Sequence, residues 1–246
     1  KVGTVLDALE KSGLADQTLV ICTTDHGIPF PLMKCTLTDH GTGVLMILRD
    51  NALFSGGKVV DSMVSQIDLF PTVCDYLGIE PPDWLQGNSI LPILRGEQEE
   101  VNEQIFAEVT FHAAYEPQRM IRTKRWKYIR RFGQRNKPTL PNIDDGPSKD
   151  FLMAHGLRDH PLDQEMLFDL VYDPNETNNL VHQLEHQKVL ADLRNRLENW
   201  MVETQDPLLV EDIVSFPEGA MVDPADADAP DEREPISQQE HLETKY

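Results

Sequence analysis

Long apolar runs are missing from this chain of 246 residues. No run approaches the roughly 18 consecutive apolar residues that a membrane-spanning helix needs, so we expect no membrane span. Residues 1–20 also lack the apolar stretch and cleavage site of a secretory signal peptide. The sequence therefore leaves the compartment undefined, and periplasmic, lysosomal and cytoplasmic locations all stay open.

Basic residues are few compared with acidic ones. The chain has 22 Lys and Arg against 42 Asp and Glu, which gives a formal net charge of −20 and a sequence pI near 4.6. A nucleic-acid partner is not expected, because phosphate binding requires Lys and Arg clustered on the facing surface. An anionic substrate can still be bound in a local basic pocket.

Cysteine is also scarce. The three thiols, Cys22, Cys35 and Cys74, are an odd number without Cys-x-x-Cys spacing. This arrangement favours neither a disulfide framework nor a zinc site. We expect small thiols buried in the core, where cysteine is common.

The first part of the chain has the order of an α/β domain. An amphipathic helix leads into strand 18–24, whose near-continuous apolar run is typical of a strand buried on both faces of a parallel sheet, and 43–49 is a second such run. Residues 64–79 show helical spacing and end at Gly78. The fold class is therefore α/β, and a chain that begins in mid-helix is expected to be truncated.

The second part has a different character. Short strands at 104–110, 118–124 and 126–132 predict an antiparallel sheet, followed by a polar loop over 133–164. A strand from 165 and a docked helix over 183–203 come next. We therefore predict three regions: an α/β domain over 1–100, a smaller subdomain over 101–205, and an acidic extended tail over 206–246.

The stretch TLVICTTDHGIPFP ends a buried strand in Asp25 and His26. Ligands gather at the carboxyl ends of strands in open α/β sheets, and a carboxylate beside an imidazole suits a divalent ion. A common turn with an Asp cap is the alternative. Lys34 lies in the loop that returns to the second strand, where a cation could bind an oxyanion. An exposed loop lysine is the other interpretation, and we interpret His40 as a turn residue.

Several pieces occur in an order that resembles the C-terminal half of the sulfatase family, in the alkaline-phosphatase-like superfamily. They are TLVICTTDHGIPFP, the Lys34 loop, VSQIDLFPTVCDYLGI, GNSILPILRGE, IRTKRWKYIRRF and MLFDLVYDPNETNNL, and together they cover roughly residues 1–205. In pattern the chain is similar to the heparan N-sulfatases, or sulfamidases. The resemblance implies the C-terminal part of a layered α/β/α domain, followed by a subdomain with an antiparallel sheet and a packed helix.

The resemblance also implies a chemistry. Sulfatases hydrolyse sulfate esters or sulfamates, here of a sulfated small molecule or glycan, by attack of a hydrated formylglycine. A divalent ion, most often calcium, with manganese or magnesium as alternatives, polarises the sulfate. Asp25 and His26 match two metal-ligand positions of the family, and Lys34 matches the cation that contacts the sulfate oxygens. His112 and Arg119 are candidate substrate ligands from the subdomain, with ordinary polar residues on a surface strand as the alternative.

The sequence departs from the family in two ways. The Cys-x-Pro/Ala-x-Arg motif that yields formylglycine does not occur in it, nor do the paired aspartates of the N-terminal half, so we expect an inactive C-terminal fragment whose partner is the missing N-terminal half. His26 stands where many sulfatases have Asn. A phosphonate or phosphodiester hydrolase, and a non-catalytic binding module, are therefore the alternatives.

Two features outside the site also lead to expectations. One basic cluster is expected on the solvated face of the sheet, with binding of a polyanionic glycan as the alternative; it comprises Arg122, Lys124, Arg125, Lys127, Arg130 and Arg131. The acidic tail has few large apolar residues, so it is expected to be disordered or to lie against a neighbouring subunit of a homo-oligomer.

Overall fold

The computed structural model describes residues 1–51, 54, 56–210, 214, 216, 219–230 and 234–235, the last two by backbone only. Much of the predicted acidic tail lies outside the described residues, namely 211–213, 215, 217–218, 231–233 and 236–246. The prediction that this tail contacts a neighbouring subunit therefore stays a prediction. Within the described ranges, no helix combines the length and the apolar character that a membrane crossing requires.

Helices and strands alternate in the first half of the chain, and strands then follow one another. The helices are α1 (Val2–Ser12), α2 (Asp39–Thr42), α3 (Leu69–Leu77), α4 (Leu91–Arg95), α5 (Pro147–Ala154) and α6 (Gln187–Glu203). The strands are β1 (Val20–Thr23), β2 (Met46–Arg49), β3 (Gln104–Phe111), β4 (Tyr115–Thr123), β5 (Trp126–Arg131), β6 (Glu165–Asp169), β7 (Met221–Val222) and β8 (Glu234–Pro235). Short 3₁₀ turns precede several helices.

The chain divides into two compact units. Unit 1 comprises 1–25 and 44–105, and unit 2 comprises 26–43 and 106–246. Segment 26–43 lies between β1 and β2 in the sequence, but it belongs to unit 2 together with the later strands. The region boundaries near 100 and 205 stay predictions.

In unit 1, β1 and β2 form an antiparallel pair, with Val20 opposite Arg49 and Thr23 opposite Met46. The prediction of a parallel arrangement is wrong for this pair. A parallel pair needs a crossover, usually a long helix, and residues 24–45 contain only the single-turn helix α2. Apolar runs do not specify strand direction, so the sequence could not distinguish the two arrangements.

The helix predicted over 64–79 is confirmed as a 3₁₀ turn followed by α3. Ser65 and Asp68 form a reciprocal capping box at its start, and Gly78, with φ 66°, ends it in the left-handed conformation. The Asp68 carboxylate is buried, and its oxygens accept hydrogen bonds from the backbone of Ser65 and Asn88 and from the Asn102 amide. The cap thus also connects α3 to the later part of unit 1.

Unit 2 is built on a four-stranded sheet in the order β3-β4-β5-β6. The β4–β5 and β5–β6 pairs are antiparallel, as predicted, with Tyr128 opposite both Ile121 and Leu167. Helix α6 packs on the face of the sheet that presents Ile121, Tyr128 and Leu167. The buried cluster contains Ile121, Tyr128, Leu167, Leu180, Val181, Leu190, Leu193, Leu197, Met201 and Leu208, with Trp126 at its edge. Trp126 and Tyr128, two residues apart on β5, therefore both pack on the α6 side of the sheet.

The opposite face of the sheet packs against segment 26–43. Met120, Ile129 and Phe168 form a second buried cluster with Leu37. Successive strand residues point to opposite faces, so these side chains alternate with those under α6. Both faces of the sheet are therefore covered, and the segment that carries Lys34 forms one of the two covers.

Lys127 lies on the face covered by segment 26–43 and is fully buried. Its ammonium donates to Asp39 Oδ1 at 2.5 Å and to Glu176 Oε1 at 3.0 Å. Arg122 donates two hydrogen bonds of 3.1 Å to the same Asp39 carboxylate. The expectation that basic residues of these strands face solvent is therefore wrong for Lys127, and also for Arg131, whose side chain is 8% exposed and paired with Glu116. The alternation of side chains along β5 assigns Lys127 to one face of the sheet, but the sequence does not show that a loop covers that face.

The two carboxylates of this network experience different environments. Burial acts to raise the pKa of Asp39, but the charges and hydrogen bonds of Lys127 and Arg122 outweigh it and hold the pKa below its ordinary value. For Glu176 burial prevails and raises the pKa. Glu176 also has a left-handed backbone, with φ 54°, and its Oε2 is buried without a hydrogen-bond partner in the described part of the chain. Lys127 is hydrogen-bonded to both acids, and the backbone N–H of Asp39 also donates to Glu176 Oε1 at 2.5 Å.

We expect Lys127→Met to destabilise the protein by about 3–5 kcal/mol, because Glu176, whose side chain is buried, would lose the cation that pairs with it. Urea unfolding monitored by circular dichroism measures the change. The matched control is Lys188→Met on the exposed surface of α6, expected to stay within about 0.5 kcal/mol of wild type. Equal effects of the two substitutions would contradict the assigned role of Lys127.

Candidate functional site

Lys34 lies in a loop with an unusual backbone. Leu32 and Cys35, on either side of it, have φ of 62° and 64°, a left-handed conformation that is uncommon for residues other than glycine. Such strain is found preferentially at functional sites. The Lys34 ammonium donates to both carboxylate oxygens of Asp144, at 2.8 and 3.0 Å, and 16% of the side chain is exposed. Its position is thus set by a bidentate ion pair.

His112 lies in the turn between β3 and β4, and buried Asn142 holds that turn. The Asn142 Oδ1 accepts from the backbone of Ala113 at 3.0 Å and Ala114 at 2.8 Å. Its Nδ2 donates to the Ala114 carbonyl and to Glu116. The backbone N–H of Asp223 also donates to the Ala113 carbonyl. The turn that presents His112 is therefore fixed from two sides.

In unit 2, His112 lies within electrostatic range of two other predicted site residues, Lys34 and His26. Desolvation by the surrounding protein lowers the pKa of His112 below its ordinary value. The charges of Lys34 and His26 act in the same direction, and that of Asp144 opposes them. Because its pKa is lowered, His112 is mainly neutral at pH 7 and can both donate and accept a hydrogen bond.

His26 has a defined tautomer. Its Nδ1 lies 2.9 Å from the carbonyl oxygen of Gly27, which can only accept, so Nδ1 carries the proton when the ring is neutral. Nε2 is then the unprotonated nitrogen, the form in which imidazole ligates a metal. Asp25 is exposed and follows β1 in unit 1. Across the described ranges, no three or more His, Cys, Asp or Glu side chains form a group that could hold a metal ion.

Gly27 closes the loop that carries these residues. Its N–H donates to the Gly41 carbonyl at 2.8 Å, and the N–H of Ile28 donates to the His40 carbonyl at 3.0 Å. A Cβ on Gly27 would lie 2.0 Å from the His40 oxygen, so a side chain cannot be accommodated without moving the backbone. His40 accordingly contributes to a turn through its backbone, in line with its interpretation from the sequence.

Arg119 is buried and fully engaged with the protein. Its Nε and Nη2 donate to the Asp206 carboxylate, Nη1 donates to the carbonyls of Val109 and Gln118, and Nη2 also reaches Thr110 Oγ1. All five N–H groups of the guanidinium thus have acceptors. A substrate contact by Arg119 stays a prediction, and it would require the loss of one of these bonds.

Sequence reasoning missed Asn142 and Asp144. Both lie in 133–164, which was predicted to be a polar loop, whereas the structure has a 3₁₀ turn at Leu140–Asn142 and helix α5 at Pro147–Ala154. Pro147 at the first helical position was the available signal for α5. No local pattern indicated the two long-range contacts, because their partners lie 28 and 110 residues away.

Comparison with known proteins identifies the family. The family described as N-sulphoglucosamine sulphohydrolase, C-terminal, matches residues 34–152. The chain is a C-terminal region of the sulfatase family. A ulvan-active sulfatase of Formosa agariphila is 30% identical to this sulfatase region over 209 residues, which cover 83% of the chain and 41% of that protein. Human N-sulphoglucosamine sulphohydrolase is 29% identical over 234 residues, covering 84% and 46%.

A solved structure supports the α/β fold class. The structure of a 2-O GAG sulfatase is 26% identical to this sulfatase region and superimposes with a TM-score of 0.67. The match covers 88% of the present chain and 43% of that protein. The sulfatase region thus spans less than half the length of these relatives, and the predicted α/β fold is confirmed.

We expect the Cys35 thiol to be unreactive at neutral pH. Burial raises its pKa to about 11, against the opposing charge of Lys34, so at pH 8 about one thiol in a thousand is ionised. Alkylation with iodoacetamide, followed by peptide mass spectrometry, should be slow at pH 8 and accelerate steadily up to pH 11. Cys35→Ser identifies the labelled peptide, and labelling at pH 8 at the rate of an exposed thiol would contradict the expectation.

Proposed function

We propose that this chain supplies the C-terminal part of a sulfatase that hydrolyses sulfate esters or sulfamates of a sugar. The membership of the chain in the sulfatase family supports the reaction class. Its relatives, which include N-sulphoglucosamine sulphohydrolase and a 2-O GAG sulfatase, support a sulfated sugar as the substrate class. The formylglycine nucleophile of the family belongs to no residue of this chain.

In this proposal Lys34 donates a hydrogen bond to a sulfate oxygen and offsets the charge that develops on the transferring group. The supporting observation is the position of Lys34 in unit 2, fixed by Asp144 and within electrostatic range of His26 and His112. A cation held in a preset position stabilises a transition state without first reorganising.

His112 is proposed as a sugar ligand, since a neutral imidazole in a fixed turn suits a hydroxyl group. Arg119 is proposed only as a structural support that joins β4 to Asp206, because its donors already bind Asp206, Thr110 and two carbonyls. It would act on substrate only after a change in these bonds.

Asp25 and His26 are proposed as ligands of a divalent ion, most often calcium in this family. The donor set supports the assignment, since Asp25 offers carboxylate oxygen and the tautomer of His26 makes Nε2 its unprotonated nitrogen. When bound, such an ion polarises the sulfate and lowers the pKa of the attacking hydroxyl. The residues of this chain then serve to orient the sulfate and the sugar.

Asp25→Ala should weaken calcium binding by at least about tenfold, because affinity depends on the number of charged oxygen ligands. The substitution is made in the protein as it is produced by its natural gene, here called the natural protein. Isothermal titration calorimetry with calcium, and with manganese in parallel, measures the change. Asp83→Ala, an exposed aspartate of the same unit, is the matched control and should bind like wild type. Unchanged calcium affinity of Asp25→Ala would remove Asp25 from the proposed site.

Lys34→Met should lower kcat/KM of the natural protein about 10²–10³-fold, the usual cost of losing an oxyanion donor. The probes are N-sulfoglucosamine and p-nitrophenyl sulfate, with bis(p-nitrophenyl) phosphate tested beside them and Lys188→Met as the control. A preference of the wild type for the phosphodiester would overturn the sulfatase proposal in favour of phosphorus chemistry. Full activity of Lys34→Met on the sulfates would remove Lys34 from the site.

A further inference from the structure

One short stretch of unit 2 holds both Lys34 and the turn that presents His112. We call residues 140–145 the bracket. At one position Asn142 binds the backbone of Ala113 and Ala114 beside His112, and two residues later Asp144 binds Lys34. The spacing between the two proposed substrate contacts is therefore set by a single stretch of backbone.

The bracket is itself firmly anchored. Leu140 and Ile143 are buried in a hydrophobic cluster with Leu157. The ammonium of Lys149 donates to the Ile143 carbonyl at 2.9 Å and to Asp145 Oδ1 at 2.8 Å. The backbone of the bracket is thus fixed by apolar packing and by the buried ammonium of Lys149, so Asp144 projects from a rigid support.

Lys34 needs such a support because a lysine side chain is flexible and its ammonium rotates. Asp144 accepts from the ammonium with both oxygens, at 2.8 and 3.0 Å. An ammonium has three N–H groups. The two oxygens fix the position of the ammonium nitrogen, so the N–H groups that are not directed at Asp144 face away from its carboxylate and can meet a substrate oxygen. Asp144 is 49% exposed, against 16% for Lys34, so little of the fold depends on its carboxylate.

We propose that Asp144 is a positioning residue: it holds the ammonium of Lys34 so that an N–H group not bonded to Asp144 donates to the sulfate. The inference rests on the proposed function, since it assigns no chemistry to Asp144 itself. A displacement of about 1 Å in a catalytic group can cost 10²-fold in rate, so the loss of this ion pair has a measurable effect.

The test is a double-mutant cycle in the natural protein. Asp144→Asn keeps the shape of the side chain but removes its charge, and it is measured in the wild-type and Lys34→Met backgrounds with N-sulfoglucosamine. Asp159→Asn is the matched control, because Asp159 is an exposed aspartate of the same unit that lies outside the bracket. Asp144→Glu restores the carboxylate, and urea unfolding monitors stability in every variant.

We expect Asp144→Asn to lower kcat/KM about tenfold or more in the wild-type background. In the Lys34→Met background the same change should alter kcat/KM by less than about twofold, because the lysine through which Asp144 acts is gone. Asp159→Asn should match wild type, Asp144→Glu should recover most of the loss, and the unfolding midpoint should not move.

Equal losses in both backgrounds would show that Asp144 acts independently of Lys34 and would overturn the inference. So would unchanged activity of Asp144→Asn while Lys34→Met is impaired, which leaves the sulfatase proposal intact. If instead the wild-type natural protein hydrolyses neither sulfated probe, the proposed function fails and the inference fails with it.

Discussion

The buried ammonium of Lys127 is the interaction on which the arrangement of unit 2 depends. It joins strand β5 to Asp39, at the start of α2, and to Glu176, in the turn after β6. These three stretches are far apart in sequence, and a charge without access to water must have its partners in place. The loop that carries His26 and Lys34 is fixed to the sheet at this point, so the proposed chemistry depends on a contact that touches no substrate.

The strongly acidic composition of the chain does not indicate where its Lys and Arg side chains lie. Lys34, Arg119 and Lys127 each lie against a carboxylate of unit 2, and two of the three are almost fully buried. Only Lys34 combines an ion pair with partial exposure in a strained loop. A net charge of −20 is therefore compatible with an anion site, because local geometry and not the total charge decides where a sulfate can bind.

Local patterns predicted the elements of the fold but not their long-range contacts. Helical spacing with Gly78 as a stop located α3, and alternation located β4 and β5, because both signals act within one element. The direction of β1 against β2 depends on the connection, and the burial of Lys127 depends on a loop 88 residues away. For the same reason Lys34 could be identified from its motif, whereas Asp144 could not. Its pairing exists only after the chain has folded.

The backbone contacts between Gly27 and Gly41 and between Ile28 and His40 bring the two ends of one loop together. A compact loop with adjacent ends is a closed insert in the chain, and closure costs little more when such a loop grows. Related chains can lengthen this loop only where Leu37 and Asp39 keep their contacts with the sheet. The glycine at the closure and the two residues that reach the sheet thus limit where the loop can vary, and its remaining positions are where new side chains can be introduced beside the proposed anion site.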